Sequence, residues 1–387
     1  MIKKVALAIN YDYHDYGGML QAFATQQVLT KLGVDSEAIN FDNLKKDINK
    51  RKWKYFLSNI FDFSIVKEKG KIIEKKIRRK ANRKFSVNLQ KRDDAFNRFC
   101  SANFKVSRKF ENWEDLRNSC KEYNSVVVGS DQLWLPSNVV ADYYTLNFVP
   151  DDVNKVAYAT SFGIGEIPAK YEHIYARFLS RINHLSAREI SGKSIIKKIV
   201  GRDVLQVCDP ALLLDADGWD EVAAPRIVHE KYIFCYFMGD NPDQRNFVKR
   251  LAHKTGCKIV ALLHLDQFIP SDELYADYTP YDITPADFVS LVKYADYVCT
   301  DSFHGTVFSI IYSRSFFTFM RFRKTASLST NTRITSLLET IGLDNRLFEG
   351  ASFSEECLDI KNWDKVQHEV SEFRACSVRY LKKALDL

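Results

Sequence analysis

Residues 295–312 read ADYVCTDSFHGTVFSIIY, an apolar run that breaks at Asp301, Ser302, His304 and Gly305 and then resumes. This is the pattern of a buried strand whose carboxyl end carries polar groups, followed at once by the first turn of a helix. Open α/β sheets hold ligands at such junctions, where strand ends and helix N–H groups converge. The stretch alone leaves two readings of His304 open: a chemical group, or a histidine that satisfies buried backbone.

The same pattern recurs along the chain. KKVALAINYD (3–12) reads as a first strand and YGGMLQAFATQQVLTKLG (16–33) as a turn and helix, with Leu20, Phe23, Ala24 and Val28 as its apolar stripe and Gly33 as its C-cap. SEAINFD (36–42) is a second strand, so the opening is a β–turn–α–β unit of Rossmann-like type. NSVVVGSDQLW (124–134), KVAYATSFG (155–163), HLSAREISG (184–192) and DVLQVCDPALLL (203–214) each run from apolar residues into small polar ones. The pattern weakens over 215–230, which reads as a linker, and a second α/β series begins at KYIFCYFMGD (231–240). It continues through a helix near 242–255, the strand CKIVALLH (257–264), and a helix capped by Thr284 with Pro285 in its first turn. The predicted fold class is α/β, with two Rossmann-like domains facing a cleft. An N-terminal domain spans 1–215 with a basic insertion at about 45–95, a C-terminal domain spans 230–370, and a final helix spans 371–387.

The bulk properties agree. A chain of 387 residues exceeds one ordinary core, and 46% hydrophobic with 27% charged residues is globular composition. No apolar run reaches the roughly 18 residues needed to span a bilayer. The N-terminal apolar run stops at Asn10, too early for a secretory segment, so the expected location is cytoplasmic. The eight cysteines include no C-x-x-C pair and read as buried thiols; the eight histidines do not cluster, and no metal site is expected. The net charge of +7 is concentrated: Lys45–Lys84 holds sixteen basic and four acidic residues, leaving the remainder at −5. With Trp53, Tyr55, Phe56, Phe61 and Phe63 among its cations, that segment reads as a solvated helical excursion or as a peripheral contact with anionic lipid at the inner face of the membrane. No nucleic-acid module accompanies it, and no nucleic-acid partner is expected.

Four stretches together resemble the polysaccharide pyruvyl transferase family: YGGMLQAFATQ (16–26), VVVGSDQLW (126–134), LSAREI with DPALLL (185–190 and 209–214), and YADYVCTDSFHGTVFSI (294–310). The resemblance implies a fold like that of two-domain GT-B glycosyltransferases. It also implies transfer of pyruvate from phosphoenolpyruvate, as donor substrate and without further cofactor, to a sugar or lipid-linked oligosaccharide as a cyclic ketal. Many members read Ser-Arg-Leu-His where this chain has Asp301-Ser302-Phe303-His304, so the arginine position holds Ser302.

Phosphoenolpyruvate carries a carboxylate and a phosphate, so its site needs fixed positive charge and oriented N–H donors. Ketal formation further needs a general acid and a general base. On this reading His304 is a proton donor or a phosphate clamp, offset by Asp301, and Asp131 handles a proton. The donor falls to Ser302, Gly305 and Arg333 on the C-terminal side of the cleft and to Arg188 reaching it from the N-terminal domain, with Arg321 and Arg323 as further sources of charge. The acceptor falls to Gly17, Gly18, Gln21, Gln132 and Trp134 on the N-terminal side, with Tyr16 or His14 lining its groove. Asp209 before Pro210 reads as a structural turn. Two other classes stay open: a nucleotide-sugar glycosyltransferase of the same fold, and a carbohydrate-binding scaffold without activity.

Overall fold

The computed structural model describes residues 2–59, 83–264, 269–272, 274–321, 332–350 and 352–387. In chain order the first half contains β1 (Lys4–Ala8), α1 (Tyr16–Lys31), β2 (Asp35–Asn40), α2 (Lys45–Ser58), α3 (Arg83–Asn103), β3 (Val106–Lys109), α4 (Trp113–Ser119), β4 (Ser125–Val128), α5 (Pro136–Ala141), β5 (Asn154–Thr160), α6 (Ala169–Arg181), β6 (His184–Ala187), α7 (Ile190–Val200), β7 (Leu205–Gln206), α8 (Pro210–Leu213) and α9 (Ala216–Asp220). The second half contains β8 (Tyr232–Tyr236), α10 (Pro242–Thr255), β9 (Lys258–Ala261), α11 (Pro285–Lys293), β10 (Tyr297–Thr300), α12 (Phe303–Ile311), β11 (Ser315–Phe319), α13 (Thr332–Thr340), β12 (Leu347–Phe348) and α14 (Trp363–Ala384).

The strands form two wholly parallel sheets, ordered β3-β2-β1-β4-β5-β6-β7 and β12-β11-β10-β8-β9. Parallel sheets are covered on both faces by crossover helices, which is why β4 (SVVV) and β8 (YIFCY) are buried along their whole length. In each sheet the order reverses once, between β1 and β4 and between β8 and β10. Ligands of open α/β sheets bind outside the carboxyl ends at that reversal. The first turn of α1, after β1, carries Gly17 and Gly18, the loop after β4 carries Asp131, and the junction of β10 with α12 carries Asp301–His304.

The caps follow the local sequence. Thr284 and Asp287 form a reciprocal capping box on α11, and Gly33 takes a left-handed φ of 77° just past α1. The final helix departs from expectation: it begins at Trp363, where Asn362 caps it, and returns to the first sheet. There Arg374 Nε donates to the Leu212 carbonyl at 2.6 Å, Cys208 N–H donates to Ser377 Oγ at 2.8 Å, and Tyr380 OH donates to the Ala157 carbonyl at 3.1 Å. Within the described part of Lys45–Lys84, Ile48 of α2 and Asn59 just after it are buried. Beyond that segment Leu89, Ala95, Phe96 and Phe99 of α3 are buried, with Phe99 packed on Phe23 of α1 and Phe96 on Tyr16.

One hydrophobic cluster runs through both halves. At its seam Tyr16 stacks on Phe288 at 5.0 Å and meets Tyr236 edge-on at 5.8 Å, while its hydroxyl donates to the Ile283 carbonyl at 3.0 Å. Such ring pairs contribute about 0.5–1.5 kcal/mol each beyond burial. Arg92 of α3 adds a strap, donating to the carbonyls of Pro280 and Tyr281. The carboxyl ends of the two sheets are thereby brought together.

Candidate active site

Three strand ends of the first sheet and one of the second meet at a buried charge network. Arg188 follows β6 and is 4% exposed, although its neighbour is the Glu189 that a surface pairing would use. Its Nε donates to Glu189 Oε1 at 3.1 Å, and its Nη1 donates to Asp209 Oδ2 at 2.6 Å and to Ser130 Oγ at 3.2 Å. Nη2 is buried and makes no hydrogen bond. Burial works against the Arg188 charge, but Glu189, Asp209 and Asp131 outweigh it and keep the guanidinium firmly protonated.

Asp209, expected only to turn the chain, does turn it: Oδ1 accepts from Ala211 N–H at 2.9 Å at the start of α8. Its second oxygen is the hub, accepting from Arg188 and from Ser130 Oγ at 3.0 Å. At 1% exposure, burial would raise this carboxyl, yet His304, Arg188 and the Ala211 N–H hold it below the ordinary carboxylate range. The sequence signal was the run LQVCDPALLL itself, because a carboxylate set between apolar runs will be buried and must be paired.

His304 stands in the first turn of α12, 5% exposed, with Nε2 at 3.5 Å from Asp209 Oδ2. Nε2 makes no hydrogen bond at that separation, so the ring is not spent on satisfying backbone. The opposite edge of the ring packs on Gly17, where a Cβ would come within 2.0 Å of Nδ1. Gly17 is therefore required by the close approach of α1 to His304. Asp301 does not offset the imidazole as expected. Its oxygens accept from the Met238 and Gly239 N–H groups at 2.6 and 2.8 Å, and Asp209 faces the ring instead.

The arginine cluster extends beyond Arg188. The Phe303 ring lies under the guanidinium of Arg188, at 4.5 Å, and under that of Arg333 from α13, at 5.8 Å. Burial, Arg188 and Arg321 lower the pKa of Arg333 to about 10. Guanidiniums packed closely enough to disfavour one another's charge are held ready for an anion. Arg323 lies outside the described residues.

Several expected contacts are instead committed to the fold. Ser302 Oγ caps α12 by accepting from Gly305 N–H at 3.4 Å. A Cβ on Gly305 would come within 2.5 Å of Thr300 Oγ1, so that glycine lets α12 pack on β10 rather than admitting a donor. Gly18 N–H donates to Asp15 Oδ1 at 2.7 Å. Tyr16 bolts the seam, and His14 is held by Asp93 Oδ1 at 2.8 Å and Asn97 Oδ1 at 3.2 Å. Trp134 is fully buried between Phe162 and Phe178, with Nε1 donating to the Tyr144 carbonyl at 3.0 Å. Trp134→Phe should lower stability by about 1–2 kcal/mol through the lost hydrogen bond and ring volume. Chemical denaturation measures that loss, and an unchanged KM for the acceptor would accompany it.

Gln21 and Gln132 remain available. Gln21 Nε2 donates to the Gly18 carbonyl, while its Oε1 is buried without a partner; Gln132 Nε2 is buried and unpartnered as well. Among the described residues seven buried side-chain polar atoms lack a hydrogen bond, and four of them belong to Gln21, Gln132, Arg188 and His304. Native proteins leave few such groups unpaired. No group of three or more His, Cys, Asp or Glu among the described residues is placed to hold a metal ion.

Two Rossmann-like parallel sheets with a cluster of buried arginines at the junction of their carboxyl ends define a GT-B-like protein. The chain belongs to the polysaccharide pyruvyl transferase family, whose model matches residues 15–321. In fold it is similar to a UDP-N-acetylglucosamine 2-epimerase, with a TM-score of 0.51 at 10% identity, covering 99% of this chain and 95% of that one. It is also similar to the UDP-bound MnaA of S. aureus (TM-score 0.49, 12% identity, covering 100% and 98%) and to the glycosyltransferase SnogD from Streptomyces nogalater (0.47, 11%, 99% and 100%). No curated protein matches the chain in sequence.

Proposed function

We propose that this transferase moves pyruvate from phosphoenolpyruvate onto two hydroxyls of a sugar in a surface-polysaccharide precursor, forming a cyclic ketal. The observation that carries the reading is the buried arginine pair around Phe303, with the unpartnered Arg188 Nη2 beside the His304–Asp209 contact. Arg188 and Arg333 hold the carboxylate and phosphate of the donor, and Arg333 supplies the cation that position 302 lacks. His304 protonates the methylene carbon, and Asp131 takes the proton of the attacking hydroxyl. Asp131 has a left-handed φ of 80°, an uncommon conformation for a residue other than glycine and one that recurs at functional sites. The acceptor lies against Gln21 and Gln132, whose unpartnered amide atoms suit hydroxyl groups.

Incubation with phosphoenolpyruvate and a sugar carrying a suitable hydroxyl pair tests the reading. Phosphate release with a matching mass gain on the acceptor supports it. Turnover only with nucleotide-sugars would replace it by the glycosyltransferase reading, which rests on likeness of fold alone. No turnover with either would leave the scaffold.

An acceptor carried on a polyprenyl phosphate would place the enzyme at an anionic surface. On α2 the exposed face carries Lys46, Lys50 and Lys54, with Trp53 57% and Leu57 63% exposed. Phe61 and Phe63 lie outside the described residues. No helix among the described residues is long and apolar enough to cross a membrane. Each cation near an anionic bilayer contributes on the order of 1 kcal/mol. Sedimentation with phosphatidylserine-containing vesicles should show binding at low salt that falls at high salt. Equal binding to neutral vesicles would exclude the electrostatic contact.

A further inference from the structure

Asp15 precedes α1, caps it, and was not singled out by its sequence. Its Oδ1 would lie 3.2 Å from a Cβ on Gly18, and Asp131 Oδ2 would lie 3.6 Å from the same point. Two carboxylates from the loops after β1 and β4, the reversal point of the first sheet, thus abut one glycine. The adjacent Gly17 packs on the His304 ring, itself buried with Nε2 unpartnered. The Asp131 backbone is held at positive φ in the same loop that leaves Gln132 Nε2 unpartnered.

We infer that Asp15 and Asp131 act together as a proton-holding pair that keeps the first hydroxyl's proton until phosphate departs. The inference rests on the pyruvyl-transfer reading and adds a residue to it. In the first half-reaction a sugar hydroxyl oxygen bonds to C2 of the donor. Its proton passes to the pair, and protonated His304 gives a proton to C3, turning the methylene into a methyl. In the second half-reaction another hydroxyl bonds to C2, and the C2–O bond to phosphate breaks with its electron pair going to phosphate. Neutral His304 takes that hydroxyl's proton, and the pair gives its proton to the phosphate. Both groups return to their starting states, two C–O bonds replace one C–O bond and one C=C bond, and nothing is oxidised or reduced.

The surroundings fit this use. Burial and then the Asp131 charge raise the Asp15 carboxyl, against the lowering effects of Gly18 N–H, His304 and Arg321. Asn10 Nδ2 faces the same point. A carboxylate beside another binds its first proton more readily than one alone.

Asp15→Asn separates the pair from the cap, because asparagine caps a helix as well as aspartate does. A carboxyl raised on folding contributes stability below its unfolded pKa and loses it as pH rises through the folded value. At neutral pH the asparagine variant should therefore melt no lower than wild type. Its turnover should fall on the order of 10-fold or more, with the acidic limb of kcat/KM moved lower in pH. Asp15→Ala, which loses the cap, should melt lower. Unchanged turnover and an unchanged limb in folded Asp15→Asn would overturn the pair. Carboxyl-carbon NMR gives a second readout: the Asp15 titration should move to lower pH in Asp131→Asn, and an unmoved titration would also overturn it. A wild-type protein inactive toward phosphoenolpyruvate would defeat the pyruvyl-transfer reading, while the NMR titration would still decide the pairing.

Discussion

His304→Ala is expected to turn over roughly 10²–10⁴-fold more slowly than wild type, the span associated with losing a general acid. Its fold should survive, for reasons visible in the network. The side chain makes no hydrogen bond through Nε2, so its removal orphans no backbone group. Asp209 keeps Arg188, Ser130 and the Ala211 N–H, so no buried carboxylate is stranded. A small change in melting temperature with a large loss of turnover is the pattern expected of a chemical histidine, and a structural one would show the reverse. His304→Gln then divides the two chemical roles: glutamine can hydrogen-bond the donor but cannot deliver a proton. Near-normal turnover in the glutamine variant would leave clamping as the role. Near-normal turnover in the alanine variant would end the catalytic assignment.

Much of this arrangement is legible in the sequence. Parallel strands announce themselves as continuous apolar runs, and polar residues at their ends, such as Asp131 and His304, are conspicuous for that reason; Arg188 beside Glu189 reads alone as a surface pair and is singled out by the family resemblance. What the sequence could not supply was direction. Ser302 and Gly305 look equally available in a string, yet one is consumed by the α12 cap and the other by packing on Thr300. Trp134 closes the motif VVVGSDQLW, but its ring turns into the core. An Asp-Pro turn explains Asp209 locally; its partners, Arg188 at 21 residues' separation and Ser130 at 79, come together only when the strand ends align. The short edge strands β3 and β12 offered four and two residues, too few for any periodicity.

Arg188→Lys should raise the KM for phosphoenolpyruvate roughly 10- to 100-fold, the cost of a charge-assisted hydrogen bond of about 1.5–3 kcal/mol. The argument depends on how the fork is divided. Nε and Nη1 are engaged by Glu189, Asp209 and Ser130, which fixes the guanidinium plane and leaves Nη2 for the ligand. Lysine can satisfy Asp209 or the donor but cannot reproduce that fork. Arg188→Ala is the weaker experiment, because it strands Glu189 and Asp209 as buried carboxylates and should destabilise the protein by about 3–5 kcal/mol. The acid response follows from the same network. Asp209 is held low in the folded state, so its contribution is present above the unfolded carboxyl value of about 3.9 and is lost as pH falls from there toward the folded value. Steady-state kinetics on Arg188→Lys, with folding checked at neutral pH, decide the role. A KM for phosphoenolpyruvate equal to that of wild type would remove Arg188 from the donor site and leave it as a strut for Asp209.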